Sequence, residues 1–447
     1  MHRGKKRIAI ALTSSLSLLA AGMWWMPQPQ AQAPPLSCSP TAMERDSERD
    51  TVGDRPTPED NSSPINPNCA DSMSDSTDKW AYPSEFAPLL QRYDTLLARM
   101  ETVERNLAKQ LNGKPYWEEA LKYGVQASEL GKAGNSSVET LQTLKSLWEQ
   151  ALDNLHQVPP DSDYGDRAQA KIAEYQANLE DVSYRLEVAQ SQFLIPIAQR
   201  SGLSSQVKIT ICHLTTSTCR RLRGNEPARD AASLMKVPIA VALMNKVTSE
   251  KLRFDTPIFV DPANYTEDAS ELRVGEKYPI ETVLNATIGH SSNIGPNQII
   301  DYLGWDYINQ VLEERGFKQT RVYSKFVGDR IYPQNVAIGR NTTTSDDLTQ
   351  MMIQIYNREH LGDEILIRSL ERQYDHELGF AGLEGGFGHW LGEKTGQTSR
   401  VLGTTLAMNL FGETYIITVI DDGAYSEPTI RQFISEISEY LFRSGQL

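Results

Sequence analysis

Apolar residues recur at helical spacing through the first part of the chain that follows its polar N-terminal tract. One run alternates steps of four and three residues, broken once at Glu104, and consists of Phe86, Leu90, Tyr93, Leu97, Met100, Leu107 and Leu111. A second run consists of Ala168, Ile172, Tyr175, Leu179, Val182, Leu186, Ala189 and Phe193. A period near 3.5 residues is typical of long helices packed side by side, as a coiled coil or a bundle. We therefore predict an all-helical region over residues 80–199.

A further helix is predicted between these two runs. Ser136 and Glu139 have the spacing of a capping box, and Pro159-Pro160 ends the helix. Its apolar face consists of Leu141, Leu144, Trp148, Leu152 and Leu155. The segment Trp-Glu-Glu-Ala-Leu at 117 recurs as Trp-Glu-Gln-Ala-Leu at 148, which hints at a helical-hairpin repeat without establishing one. We interpret the region as a spacer or docking module and expect a protein partner for it.

After Pro196 the pattern changes to short strands mixed with helices. Residues 207–214 predict a strand, residues 233–247 an apolar helix, and residues 401–410 with 415–420 a hairpin. A final amphipathic helix carries Ile430, Phe433, Ile434, Ile437 and Leu441. The sequence therefore predicts an α/β domain over residues 200–447.

The N-terminus carries an export signal. Four cations at positions 3–7 precede an apolar run over residues 8–26, and Ala31-Gln32-Ala33 has the form of a cleavage site. Pro34 makes that site a poor peptidase substrate, so residues 8–26 are alternatively an uncleaved membrane anchor. We expect residues 1–33 to be a signal peptide or anchor, and the body to be periplasmic or otherwise extracytoplasmic. Residues 34–79, which are rich in Pro, Ser, Asp and Asn, are expected to form a disordered acidic linker.

Composition excludes some functions. The chain has 447 residues with 44 basic and 58 acidic side chains, a net charge of −14, which argues against a nucleic-acid partner. Seven scattered histidines lack the spacing of a zinc site, and no cofactor is predicted. Outside the cytoplasm Cys212 and Cys219, which flank a four-residue turn, either form a disulfide or stay reduced. Cys38 and Cys69 either pair or stay free.

Candidate chemistry begins with Ser-x-x-Lys, which places a hydroxyl and an amine one helical turn apart so that the amine can take the hydroxyl proton. The pattern occurs three times, at Ser76, Ser205 and Ser233, and only Ser233-Leu-Met-Lys236 opens an apolar helix. Two further motifs follow it in order, Ser291-Ser292-Asn293 and Lys394-Thr395-Gly396. The three motifs in this order predict an acyl-transferring serine enzyme.

With these motifs, residues 200–447 resemble the class A β-lactamase and penicillin-binding protein family, closest to penicillin-binding proteins that share the class A fold. The segment around Ser233, Asn297 and the Asn-Thr-Thr-Thr run at 341–344 also match this pattern. The resemblance implies a β-lactamase/transpeptidase-like α/β (α+β) domain, with an antiparallel sheet flanked by helices, after the all-α bundle or coiled-coil region.

The resemblance also implies residue roles. Ser233 is the expected nucleophile, Lys236 the expected acylation base, and Ser291 the expected proton relay to the leaving nitrogen. The expected substrate contacts are Asn293 to the side-chain amide, Lys394 and Thr395 of the Lys-Thr-Gly396 motif to the carboxylate, and the backbone N–H groups of Ser233 and Gln397 to the oxyanion. Arg400 is either a second carboxylate anchor or an exposed strand arginine.

The sequence departs from the family in one loop. Class A β-lactamases need a glutamate before the Thr-Thr-Thr helix to activate water, and residues 320–341 contain none. Alignment on Arg330 and Pro333 puts Tyr332 there, and tyrosine is a poor base at neutral pH. Asp329 is the only carboxylate nearby, and Ser292 replaces the family's aspartate.

We therefore predict a D-Ala-D-Ala peptidase that acts on peptidoglycan stem peptides and is acylated by β-lactams. The alternatives are a class A β-lactamase with an unrecognised water activator and a catalytically silent cell-wall binding module.

Overall fold

The computed structural model describes residues 86–134, 136–268, 270–423 and 425–447. The predicted signal or anchor (1–33) and the predicted linker (34–79) lie outside the described residues, and so do Cys38, Cys69, the Ser76/Lys79 pair and residues 80–85 of the helical region. Among the described residues, no helix combines the length and the apolar character needed to cross a bilayer.

Helices occupy the described chain up to residue 200. They are α1 (Ala87–Asn112), α2 (Lys114–Lys132), α3 (Val138–His156), α4 (Gly165–Gln190) and α5 (Leu194–Arg200). Helices α2, α3 and α4 share one core, in which the two tryptophans of the repeated pentapeptide, Trp117 and Trp148, are both buried. Trp148 contacts Tyr175 of α4, with ring centroids 4.9 Å apart. The predicted run on α4 faces this core, with Ala168, Tyr175, Val182 and Leu186 buried.

Two details of the helical region differ from the prediction. The N-cap of α3 is Ser137 and not Ser136, because the helix begins at Val138 and the Ser137 hydroxyl accepts the Thr140 N–H at 3.2 Å. The apolar run of α1 is exposed and not packed. Helix α1 meets the bundle near its C-terminal end, where Lys109 lies 3.8 Å from Asp161.

The C-terminal domain is built on one antiparallel sheet of β1 (Lys208–His213), β2 (Cys219–Leu222), β5 (His389–Gln397), β6 (Leu402–Leu410) and β7 (Glu413–Asp421). The strand order in this sheet is β2-β1-β7-β6-β5, and a small separate sheet pairs β3 (Pro257–Phe259) with β4 (Lys277–Pro279). The predicted hairpin is β6–β7. In the β1–β2 hairpin Cys212 lies opposite Cys219, and the two form a disulfide.

Helices cover both faces of the sheet because alternate strand residues point to opposite sides. They are α6 (Lys236–Ser249), α7 (Ile280–Ile288), α8 (Ile294–Leu303), α9 (Trp305–Glu314), α10 (Ser345–Tyr356), α11 (Asp363–Glu371), α12 (Gly379–Leu383) and α13 (Glu427–Ser444). Helix α13 buries all five predicted apolar residues, in the same core as Leu194 and Ile197 of α5. The domain core therefore begins at Leu194, six residues before the expected boundary.

Candidate active site

Ser233 lies in a 3₁₀ turn, Ala232–Met235, that leads directly into α6. The sequence predicted an α-helical start, but in a 3₁₀ turn side chains three residues apart eclipse each other, which aligns Ser233 with Lys236 even more closely. The Lys236 Nζ lies 2.9 Å from the Ser233 Oγ. Ala232 has φ of +47°, and its N–H donates to the Asp230 carboxylate at 2.8 Å.

The Lys236 side chain is fully buried at the centre of the site. Its Nζ donates to the Ser291 carbonyl at 2.5 Å and to the Asn293 Oδ1 at 3.0 Å, and it lies 3.1 Å from the Ser291 Oγ. Burial lowers the pKa of Lys236 well below its usual value, the charge of Lys394 lowers it further, and Asp268 opposes the shift. Lys236 can therefore be a neutral amine beside Ser233, able to take the serine proton.

Ser291 joins α7 to α8 in a left-handed conformation, with φ of +54°. Its hydroxyl oxygen lies within hydrogen-bond distance of two lysines, 3.1 Å from the Lys236 Nζ and 3.0 Å from the Lys394 Nζ. Because one hydroxyl touches both amines, it links them by a path along which a proton can move.

Asp268 holds the Ser291–Asn293 turn from a neighbouring loop. Its carboxylate accepts the Ser292 hydroxyl at 2.9 Å and the Asn293 N–H at 2.5 Å, and also the Ser270 hydroxyl. Asp268 belongs to none of the sequence motifs and was not predicted. The one indication in the sequence was Ser292, which replaces the family's aspartate in this turn. The turn therefore takes a carboxylate from another part of the chain, but no spacing in the sequence identifies that residue.

Strand β5 supplies the third motif. The buried Lys394 ammonium also donates to the Thr395 carbonyl at 2.8 Å. Burial lowers the pKa of Lys394 to about 8, while the carboxylates of Asp375 and Glu393 act in the opposite direction. The Thr395 hydroxyl donates to Asp375 at 2.8 Å.

Gly396 lets β5 approach the nucleophile turn. A Cβ atom here would lie 2.8 Å from the Leu234 nitrogen and 3.0 Å from the Ala231 oxygen, closer than side chains are normally tolerated. Gln397 ends β5 at this contact, and its side chain accepts from the Tyr425 hydroxyl at 3.2 Å. Arg400 lies exposed in the β5–β6 turn and not in a strand. Among the residues that the structure describes, its side chain has no ion-pair partner.

The loop between α9 and α10 places Phe326, and not Tyr332, at Lys236. The Asn297 side chain accepts the Phe326 N–H at 2.7 Å and donates to the Phe326 carbonyl at 2.8 Å. The Lys236 Nζ lies 4.8 Å from the centroid of the Phe326 ring. Tyr332 is 62% exposed. The alignment on Arg330 and Pro333 is therefore wrong, because the side chain that faces Lys236 comes six residues earlier.

No carboxylate in the described part of this loop approaches Ser233. Asp329 is exposed, and no ion pair of it is seen among the described residues. Glu267 binds the loop from outside, accepting the N–H groups of Arg330 at 2.9 Å and Ile331 at 3.1 Å. Within the described ranges, no group of three or more histidine, cysteine or acidic side chains is arranged to hold a metal ion.

Comparisons with known proteins agree with this architecture. A sequence profile described as the beta-lactamase enzyme family matches residues 194–444. The β-lactamase VEB-1 of Pseudomonas aeruginosa is 25% identical over 134 residues, which are 29% of this chain and 44% of that protein. The chain thus spans less than half the length of that curated relative.

Two solved structures are similar to more than half of the chain. The penicillin-binding protein PBP-A is 22% identical, covering 57% of this chain and 96% of that one, with a TM-score of 0.48. A β-lactamase from Sphaerobacter thermophilus is 21% identical, covering 56% and 97%, with a TM-score of 0.48.

Replacing Asp268 with Asn tests its influence on Lys236. The amide keeps the shape of the carboxylate but loses the charge that raises the pKa of Lys236. A lower pKa leaves the amine neutral at lower pH, so the acid limb of the pH–rate profile for Ser233 acylation by a penicillin should move to lower pH. Asp329→Asn, at an exposed carboxylate, is the control. An acid limb that stays in place in Asp268→Asn would contradict the assignment.

Gly396→Ala should slow acylation roughly 100-fold, because the added Cβ pushes β5 away from the nucleophile turn. The measurement is the acylation rate constant, with the melting temperature recorded alongside. Gly386→Ala is a matched control, since a Cβ there meets only the Leu383 oxygen, at 3.6 Å. Equal rates in the two variants would show that the close approach has no part in the chemistry.

Proposed function

The chain belongs to the beta-lactamase enzyme family, and we propose that its C-terminal domain is a penicillin-reactive serine peptidase that forms an acyl-enzyme with peptidoglycan stem peptides ending in D-Ala-D-Ala. The hydrogen-bonded group Ser233–Lys236–Ser291–Lys394 carries the proposal. It supplies a nucleophile, a base, a relay and a cation, each within hydrogen-bond distance of the next. The substrate lies outside the cytoplasm, in keeping with the export signal expected at the N-terminus.

The proposed acylation follows from these contacts. Neutral Lys236 takes the Ser233 proton while the Oγ attacks the carbonyl carbon of the scissile amide or β-lactam. The proton then passes through the Ser291 hydroxyl to the leaving nitrogen, the C–N bond breaks, and the acyl group stays on Ser233. Lys394 binds the substrate carboxylate, Asn293 binds a substrate amide, and the backbone N–H groups of Ser233 and Gln397 stabilise the oxyanion.

The surroundings of Lys236 favour a peptidase over a β-lactamase. Fast hydrolysis of a β-lactam adduct needs a general base for water. Phe326 presents a hydrocarbon ring where the family's loop carboxylate would approach Lys236. Asp268 and Glu267, the carboxylates that bind this part of the site, already accept hydrogen bonds from the turn and the loop that they hold. We infer that β-lactam adducts persist, while a peptide acyl group is transferred to water or an amine by another route.

Incubation with a fluorescent penicillin tests the proposal. We expect a covalent adduct that persists for many minutes, and release of D-alanine from a peptide ending in D-Ala-D-Ala. Ser233→Ala should abolish both activities, whereas Ser205→Ala, at another Ser-x-x-Lys serine, should retain them. An adduct cleared within seconds would favour the β-lactamase. The absence of any adduct would favour a silent binding module.

Phe326→Glu should accelerate loss of the penicillin adduct by about 10²- to 10⁴-fold, the usual value of general-base assistance. The Asn297 clamp holds the backbone of residue 326, so the loop should keep its path while a carboxylate replaces the ring. Tyr332→Glu adds the same charge at an exposed position and should change nothing. The measurement is the half-life of the adduct by gel fluorescence. Equal half-lives in the two variants would show that the side chain at position 326 does not control hydrolysis of the adduct.

A further inference from the structure

Helix α1 exposes an apolar face along its whole length. Its seam, defined by the first predicted run, includes Leu90, Tyr93, Leu97, Met100, Leu107 and Leu111, which are between 39% and 57% exposed. A second row along one edge of the seam consists of Leu89, Leu96 and Val103, each at least 57% exposed. Contiguous exposed apolar patches of this kind mark interaction sites.

We propose that α1 pairs with α1 of a second copy of this chain as an antiparallel coiled coil. A seven-residue repeat packs best against a helix with the same repeat. The apolar faces of α2, α3 and α4 are already buried against one another. Residues 34–79 contain almost no aliphatic side chains with which to cover the seam. A second α1 brings the required period and length.

Glu104 determines the direction of the pair, because it interrupts the seam. In a parallel pair Glu104 would face Glu104 of the second copy inside an apolar interface, where two like charges repel strongly. An antiparallel pair with full overlap sets Tyr93 opposite Glu104, Leu90 opposite Leu107 and Leu97 opposite Met100. The hydroxyl of each Tyr93 can then donate a hydrogen bond to the Glu104 carboxylate of the other copy.

The edges of the seam favour the same direction. In a parallel pair the row of Leu89 and Leu96 would lie against Asp94 and Glu101, which line the opposite edge. In an antiparallel pair each edge meets its own counterpart, so the apolar row is buried against itself. The acidic edges then meet at the surface, where repulsion is screened, and Glu101 has Arg105 four residues on to offset it.

The pair would separate the two catalytic domains. A helix of 26 residues is about 39 Å long, and each α1 leads into its own bundle at its C-terminal end. Antiparallel pairing therefore sends the two bundles away from each other, leaving both sites open to substrate. This inference does not depend on the catalytic proposal.

Disulfide cross-linking of the full chain tests the pairing and its direction. In a background of Cys38→Ser and Cys69→Ser, two differently tagged single variants, Leu90→Cys and Leu107→Cys, are mixed and oxidised. We expect cross-links between unlike chains, while Leu90→Cys alone should link poorly, because its copies lie about 25 Å apart in an antiparallel pair. Thr95→Cys mixed with Thr102→Cys is the matched control. In the antiparallel pair these two positions lie at the same height along the helices but on the faces opposite the seam, so they should not cross-link.

Cross-linking of Leu90→Cys with itself would overturn the antiparallel direction, and the absence of seam cross-links would overturn the pairing. Sedimentation equilibrium provides a measurement without introduced cysteines. The unmodified chain and Thr102→Asp should each have the mass of two copies, whereas Leu97→Asp should have the mass of one copy. A single-copy mass for the unmodified chain would also overturn the proposal. Penicillin labelling of Ser233 should be unchanged throughout, so a failed pairing is distinguishable from a failed enzyme.

Discussion

Two buried lysine side chains meet at a single serine hydroxyl, and the chemistry of the site depends on their burial and on the charges around them. Lys236 and Lys394 both lie within hydrogen-bond distance of the Ser291 Oγ. Burial lowers the pKa of both amines, and the charge of Lys394 lowers that of Lys236 further. Their surroundings decide which one loses its proton. Lys394 has the support of two carboxylates, Asp375 and Glu393, whereas Lys236 has Asp268 alone. Lys236 therefore becomes the neutral base and Lys394 the remaining cation.

This arrangement requires backbone conformations that ordinary helices and strands do not provide. Ala232 and Ser291 both have positive φ, which is strained for residues with a side chain. The first turns Ser233 toward Lys236, and the second brings the Ser291 carbonyl and hydroxyl to the same amine. Gly396 removes the Cβ that would keep β5 at a distance. The packing of the domain maintains this strain at the point where the reacting groups must converge.

The sequence predicted those parts of the site that short spacings determine. Ser233 and Lys236 lie one turn apart, and alternation along β6 and β7 identified their hairpin. The roles of Asp268 and Phe326 could not be predicted, because each residue lies in an irregular loop. Such a loop has no repeating period from which the direction of a side chain follows. The heptad run of α1 shows a related limit of prediction from sequence. Periodicity identifies the apolar face of a helix but not what covers it, so the prediction of a coiled coil or a bundle left the partner of α1 open. At α3, two adjacent serines made the capping residue ambiguous by one position.

The clamp on Phe326 bears on how one fold supports two reactions. Asn297 binds only the backbone of residue 326, through its N–H and its carbonyl, so this contact is indifferent to the side chain. The loop can keep its path whether the ring or a carboxylate faces Lys236. Acylation depends on the buried lysines and Ser291, which this position leaves intact, whereas hydrolysis of the adduct depends on a base for water. The two half-reactions are thus separable at a single side chain, and the fold alone does not determine which one limits turnover.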